Sequence, residues 1–257
     1  MGTGATTDEE RLRRVAEALA DAASARAAGQ RRRLPVVQPA DVAGLVAMLH
    51  EQLEYVIDMR NSEATAAGAV IACGRGCNAC CMLPVVVGEH EAVAIALWLT
   101  QPENAAVRER FLGGYQAWRG KLGDRIERVP TAVSSELERV AFEYFQQRAM
   151  CPFNTDEGTC SVYPVRPGVC RTTHALDTNE KCQGQSDTIH EIKHPAVEST
   201  IAGQQAMREI LHETQRPGAG SDIMPKAVMR HLAKATAFPN QPCPCGSGLK
   251  FKRCCGA

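Results

Sequence analysis

Cys73-Gly74-Arg75-Gly76-Cys77-Asn78-Ala79-Cys80-Cys81 sets four thiols within nine residues, between two stretches of helical periodicity. A second group follows at Cys151, Cys160, Cys170 and Cys182, and a third closes the sequence at Cys243, Cys245, Cys254 and Cys255. Twelve cysteines in 257 residues are the outstanding compositional feature. Adjacent cysteines and a Cys-x-Cys step make poor local disulfides but good chelating geometry. The N-terminal MGTGATTDEE has no basic stretch followed by an apolar one, so no secretory leader is expected. Thiols held by metal in a reducing cytoplasm are the expectation.

Outward from the first cluster the apolar spacing is that of helices. Asp8 to Ala28 places Leu12, Val15, Ala16 and Leu19 three or four apart, and is predicted to end before Arg31, Arg32, Arg33 and Pro35. Asp41 is predicted to cap a helix running to about Met59, with Val42, Leu45, Leu49, Leu53 and Val56 on one face. Glu89 to Leu99 reads as a core helix. Pro102 starts another, continuing to about Arg128 through Val107, Phe111, Tyr115, Trp118 and Leu122. Ser134 or Ser135 caps one through Met150, and Thr188–Glu213 and Met224–Thr236 are helical again. Cys151 to Gln185, rich in Pro, Gly, Thr and Asp, has no usable period and reads as ordered loop. No βαβ alternation is present.

The expected fold is mainly α: a helical domain with irregular cysteine-rich metal-binding loops and a small C-terminal zinc module. Residues 1–34 would form a helical extension, 35–236 the metal-binding domain and 237–257 the module. The length suffices for a real core, and 44% apolar with 23% charged residues is ordinary for a globular chain. Net charge is zero, giving no general reason to expect nucleic acid as a partner. The longest apolar run, Ala92 to Leu99, is eight residues, too short to span a membrane. From Ile223 to Ala257 there are six Lys/Arg and no acid. With four thiolates on one zinc ion that tail nets about +4, a modest basic patch.

Cys243, Cys245, Cys254 and Cys255 have the form C-x-C-x8-C-C, two close pairs able to surround a tetrahedral ion. Gly246 and Gly248 permit a tight turn after the first pair, and Phe251 can cover one side. Fifteen residues hold no core of their own, so metal would supply the folding free energy. Through Cys243, Cys245, Gly246, Ser247, Gly248, Lys250, Lys252, Cys254, Cys255 and Gly256 the segment closely resembles the SEC-C motif. That motif is known from the SecA translocase and many other bacterial proteins. The resemblance implies zinc held by these four cysteines and a device docking to proteins or the ribosome, with Lys250, Lys252 and Arg253 on its surface. Four protein ligands leave no open position for catalysis.

The other eight cysteines, Cys73, Cys77, Cys80, Cys81, Cys151, Cys160, Cys170 and Cys182, are candidate ligands of a core site. Thiolates suit zinc and iron–sulfur clusters about equally, and eight could form two four-cysteine sites or one cluster with spare thiols. Hard-metal ligands are scarce near the first cluster. His174, His190 and His194 are candidates for one ligand at most, and an ordinary structural histidine is favoured at each. Arg166 and Arg171 are candidates to neutralise the thiolate cage. Tyr163 and Pro167 shape the loop. Metal shared by the two groups would close a loop of about seventy residues.

The run Cys77, Cys80, Cys81, Cys151, Pro152, Phe153, Cys160, Tyr163, Arg166, Pro167, Cys170 and Arg171 resembles the YkgJ-type cysteine-cluster family over residues 73–182. The resemblance implies zinc or iron chelation. Flagellin lysine N-methylases are similar in their cysteine cluster, which would imply an iron–sulfur cluster and S-adenosylmethionine acting on a protein lysine. Cys73-x3-Cys77-x2-Cys80 has the spacing for such radical chemistry, but no glycine-rich S-adenosylmethionine loop or barrel pattern accompanies it. A third reading is a zinc-only adaptor docking to the ribosome or the secretion machinery.

Overall fold

The computed structural model describes residues 4–131, 134–176, 195–218 and 220–256. Cys182, His190 and His194 lie outside the described residues. Helix α1, Gly4–Ala27, is followed by Gly29 at φ +71, a conformation a glycine reaches without steric cost. Helix α2, Pro39–Ala66, begins two residues before Asp41 and runs seven past Met59. Asp41 is therefore not the cap but the third helical residue: Gln38 caps, its N–H donating to Asp41 Oδ2 at 3.3 Å. Pro39 supplies the fixed φ that suits a first helical position.

Helix α3, Glu89–Thr100, is where the sequence placed it. The long helix expected from Pro102 to Arg128 is divided. A 3-10 turn at Pro102–Asn104 leads into α4, Ala105–Leu122. Gly123 at φ +59 then breaks the chain before α5, Arg125–Arg128. Helix α6, Ser134–Gln146, stops short of Met150 because the backbone turns at Arg148, φ +47. The expected loop after Cys151 contains a short helix, α7, Gly168–Thr172. Helices α8, Pro195–Gln215, and α9, Met224–Thr236, complete the set. Strands β1, Val86–Val87, and β2, Asp222–Ile223, pair antiparallel.

The apolar run of α3 is buried on nearly every side, as a helix with no polar face must be. Its Ala92, Ile95, Ala96 and Leu99 join Phe111, Tyr115, Trp118 and Leu122 of α4 and Val228, Met229 and Leu232 of α9 in the main core. Val93 and Ala94 face the other way, into a second cluster with Leu19 of α1, Val42 and Leu45 of α2, and Ile210 and Leu211 of α8.

The first turn of α3 is a polar hub. The Glu89 carboxylate, 1% exposed, pairs with Arg230, with His231 Nε2 at 2.5 Å and with Arg216 at 3.5 Å. Its backbone N–H donates to His212 Nδ1 at 2.5 Å. Burial alone would raise the carboxyl, but His231 and Arg230 hold it down at about 2. Glu91 lies 3.5 Å from His50 Nε2 and accepts the Gly168 N–H at 2.8 Å. His90 packs over Gly88, where a Cβ would meet His90 Cε1 at 2.5 Å, so any side chain there would displace the His90 ring.

Burial lowers His90 from 6.5 to about 4. The folded chain keeps this ring neutral in a range where the unfolded chain protonates it, so the unfolded state binds more protons there. Stability should be intact above pH 6.5 and fall as pH drops towards 4, by on the order of 3 kcal/mol from this group. Urea midpoints of wild type and His90→Gln across this range test it. The variant should show the shallower acid slope, and equal slopes would refute the assignment.

Candidate metal centre

The C-terminal segment folds back on itself. Cys243 N–H donates to Leu249 O at 2.8 Å, and Pro242 bridges Lys250. Gly246 and Gly248 adopt φ +74 and +76, the turn anticipated from their positions. A 3-10 turn at Phe251–Arg253 then returns the last two cysteines to the first pair. The four Sγ atoms of Cys243, Cys245, Cys254 and Cys255 all lie within 4.8 Å of one another. A tetrahedral ion with bonds of about 2.3 Å holds its sulfurs about 3.8 Å apart, so the donor set and spacing fit one four-coordinate soft ion. Ser247 Oγ is 3.2 Å from Cys254 Sγ. Burial pushes Cys245 up, but bonds from Ser247 and its neighbouring thiols outweigh it and bring the group to about 7.

Sequence gave this segment no core of its own; in the structure it shares one. Cys243, Cys245 and Phe251 belong to the main apolar cluster, with Cys254 and Cys255 packed against it. Gly246 lies so close to α4 that a Cβ would meet Gln116 Cγ at 2.8 Å. Lys250, Lys252 and Arg253 are exposed, as expected.

The core cysteines arrive on two loops that touch. Cys73, Cys77, Cys80 and Cys81 lie between α2 and α3, the last pair on a 3-10 turn at Ala79–Met82. Cys151 N–H donates to Cys81 O at 2.8 Å, and Asn154 Nδ2 donates to Cys81 Sγ at 3.5 Å. Gly158, at φ +74, passes so near Gly76 that a Cβ would sit 2.8 Å from its carbonyl oxygen. Cys170 stands on α7.

Cys80, Cys81, Cys151, Cys160 and Cys170 are near enough to shift one another's ionisation. A hydrogen bond from Cys81 draws Cys80 down to about 7, with Arg166 contributing, and the same bond pushes Cys81 up. Burial raises Cys151 to about 12 and also raises Cys160 and Cys170. Cys73 is raised by burial and further by Cys77 and Cys80; it hydrogen-bonds with Cys77 and accepts the Ala175 N–H at 3.1 Å. Among the described residues only the tail thiols form a group of three or more such ligands mutually within 4.8 Å. The core thiols among the described residues converge without closing into a comparable tetrad.

The two arginines occupy unequal positions. The Arg166 guanidinium lies over the Tyr163 ring at 4.0 Å; its charge helps draw Cys80 down and offsets part of the burial that raises Cys160. Arg171 is buried and spends its donors on Glu54 Oε1 at 2.5 Å and on the Arg166 and Pro164 carbonyls, each at 2.8 Å. Its effect on Cys160 is by charge. His174 is turned to structural use: Nδ1 lies 2.5 Å from Arg60 and 3.2 Å from Asn61, and burial lowers it to about 4.

Several site residues escaped sequence reading: Glu54, Arg60 and Asn61 of α2, Glu91 of α3, and Asn154. One signal was available. Arg60 continues the buried stripe of Leu53 and Ile57 at helical spacing, and a charge on such a stripe marks a polar contact. Its donors reach Thr172 O and His174, beside Cys73.

A mainly helical scaffold with a four-cysteine ligand group at its C-terminal end defines the class: a metal-binding protein. Residues 72–194 match the CxxCxxCC family model, described as "Putative zinc- or iron-chelating domain", and residues 240–257 match the SEC-C motif. Together the two matched segments take in both described core cysteine loops and the C-terminal cysteine group. No curated protein and no solved structure matches it. Among the described residues no helix is long and apolar enough to cross a membrane.

Proposed function

We propose that the protein binds metal at two distinct sites. The core site is ligated by thiolates drawn from Cys73, Cys77, Cys80, Cys81, Cys151, Cys160, Cys170 and Cys182, and takes an iron–sulfur cluster or zinc. The tail site is a structural zinc held by Cys243, Cys245, Cys254 and Cys255. The carrying observation is the meeting of two loops about seventy residues apart in sequence, joined at Cys81 and Cys151. Buried thiols whose pKa is raised are costly to charge unless a cation compensates them. Their mutual proximity supports a shared metal more than independent free thiols. Such a site belongs in a reducing compartment such as the cytoplasm. The exposed Lys250, Lys252 and Arg253 would serve contact with a protein or ribosome surface.

Anaerobic purification with iron, sulfide and zinc analysis and absorbance near 400 nm tests the reading. Brown protein with acid-labile sulfide assigns a cluster to the core; colourless protein with two or more zinc ions per chain assigns zinc. A preparation holding tail zinc alone would sink the core site. Cys80→Ala and Cys170→Ala should each lose the core metal while retaining one zinc in the tail. Full metal content in both variants would overturn the ligand assignment.

A further inference from the structure

Helix α7 has five residues and carries Cys170. A single turn and a half has little stability of its own, so its place is set by what holds it. Two carboxylates from different core helices do so. Glu91 of α3 accepts the N–H of Gly168, the first residue of α7, at 2.8 Å. Glu54 of α2 accepts from Arg171 at 2.5 Å, one residue beyond the cysteine. The same guanidinium donates through Nε to Arg166 O and through NH2 to Pro164 O. One planar fork thus ties α2 both to the helix bearing Cys170 and to the loop leaving Cys160.

We infer that Glu54 is a positioning residue of the core metal site, acting through Arg171 to fix Cys160 and Cys170 relative to the Cys80–Cys81 turn. The inference rests on the proposed core site. The Glu54 carboxylate accepts from Arg171 and lies 3.9 Å from Arg166. It aims a cation whose three used donors leave it one orientation. Arginine is required in this role because a lysine ammonium cannot serve three separated acceptors in a fixed plane. Glu91 provides the second clamp, at the other end of α7, so losing Glu54 should loosen the site without unfolding the helix pair around it.

The test compares wild type, Glu54→Gln, Glu54→Asp and Arg171→Lys as full-length, metal-loaded proteins. Release of the core metal to a chromogenic chelator is the readout, beside tail zinc content, visible spectrum and urea midpoint. Glu54→Gln and Arg171→Lys should release core metal about 10–100-fold faster, the usual size of an outer-shell effect. Glu54→Asp should recover part of the loss, and tail zinc should be unchanged in all. In the double variant Glu54→Gln/Arg171→Lys the loss should be smaller than the sum of the single losses, because the Glu54–Arg171 contact is common to both changes. Wild-type release rates with an unaltered spectrum in Glu54→Gln would overturn the positioning role, whatever the urea midpoint does. A wild type without core metal would instead overturn the core site itself, so the two failures are distinct.

Discussion

Glu89→Ala should cost the fold about 3–5 kcal/mol, the usual effect of deleting one partner from a buried ion network. The carboxylate is 1% exposed and receives Arg230, His231 and Arg216 at the start of the most buried helix. Alanine would leave Arg230 and His231 facing an apolar cavity, each still largely shielded from water. Asp222, 2.8 Å from Arg230, would retain part of that guanidinium's stabilisation, so the smaller end of the range is set by this second acceptor. Glu89→Gln keeps the volume and one acceptor oxygen, and should cost less than alanine. Urea denaturation of metal-loaded protein checks both, with an unchanged slope required for the comparison. A loss below about 1 kcal/mol in Glu89→Ala would show that the network is solvated in solution. Against a total of about 5–15 kcal/mol for typical domains, the expected loss removes much of the stability.

How far the sequence carried depends on whether the deciding interaction is local. Helix α9 was legible because its apolar residues recur at helical spacing, and α3 because its run from Ala92 to Leu99 is continuously apolar and rich in alanine. The tail tetrad was legible because all four thiols fall within a short segment and turn glycines sit where the chain reverses. The break at Gly123 and the turn at Arg148 were not: both are single backbone conformations inside continuous apolar patterns. Ligand candidates on the core loops followed from cysteine spacing, whereas the side chains that arrange them did not. Glu54, Arg60 and Glu91 reach the site from α2 and α3 across more than seventy residues of sequence, to Arg171, Thr172 and Gly168. Long-range polar contacts of this kind leave no period to read. The cluster of Glu89 with His231 and Arg230 was missed for the same reason.

Stripping the tail of its metal should destabilise the whole domain, not only the last residues. Phe251, Cys243 and Cys245 lie in the same apolar cluster as Tyr115, Trp118 and Leu232, so the tail covers core surface that α4 and α9 would otherwise expose. Without an ion, four crowded thiols have no favourable reason to remain together. A short segment lacking its own core then loses its fold. Phe251 is 9% exposed, and withdrawing a phenylalanine from a core costs about 3–5 kcal/mol. For a chain of this size that corresponds to a fall in Tm of about 6–20 °C. The variant Cys254→Ser/Cys255→Ser removes half of the ligand set while leaving Cys243, Cys245 and Phe251 in place to pack if they can. Calorimetry of the metal-loaded pair should show the main transition itself shifted downward in the variant. Core metal should still be bound at low temperature, since the core ligands are untouched. An unshifted main transition would mean that the tail folds and unfolds on its own, and that its burial against α4 adds little to the stability of the domain. Addition of a strong zinc chelator to the wild type should reproduce the shift. Sharing one apolar cluster would make an ion held by the tail thiols a fastening for α4 and α9 as well as for the tail itself.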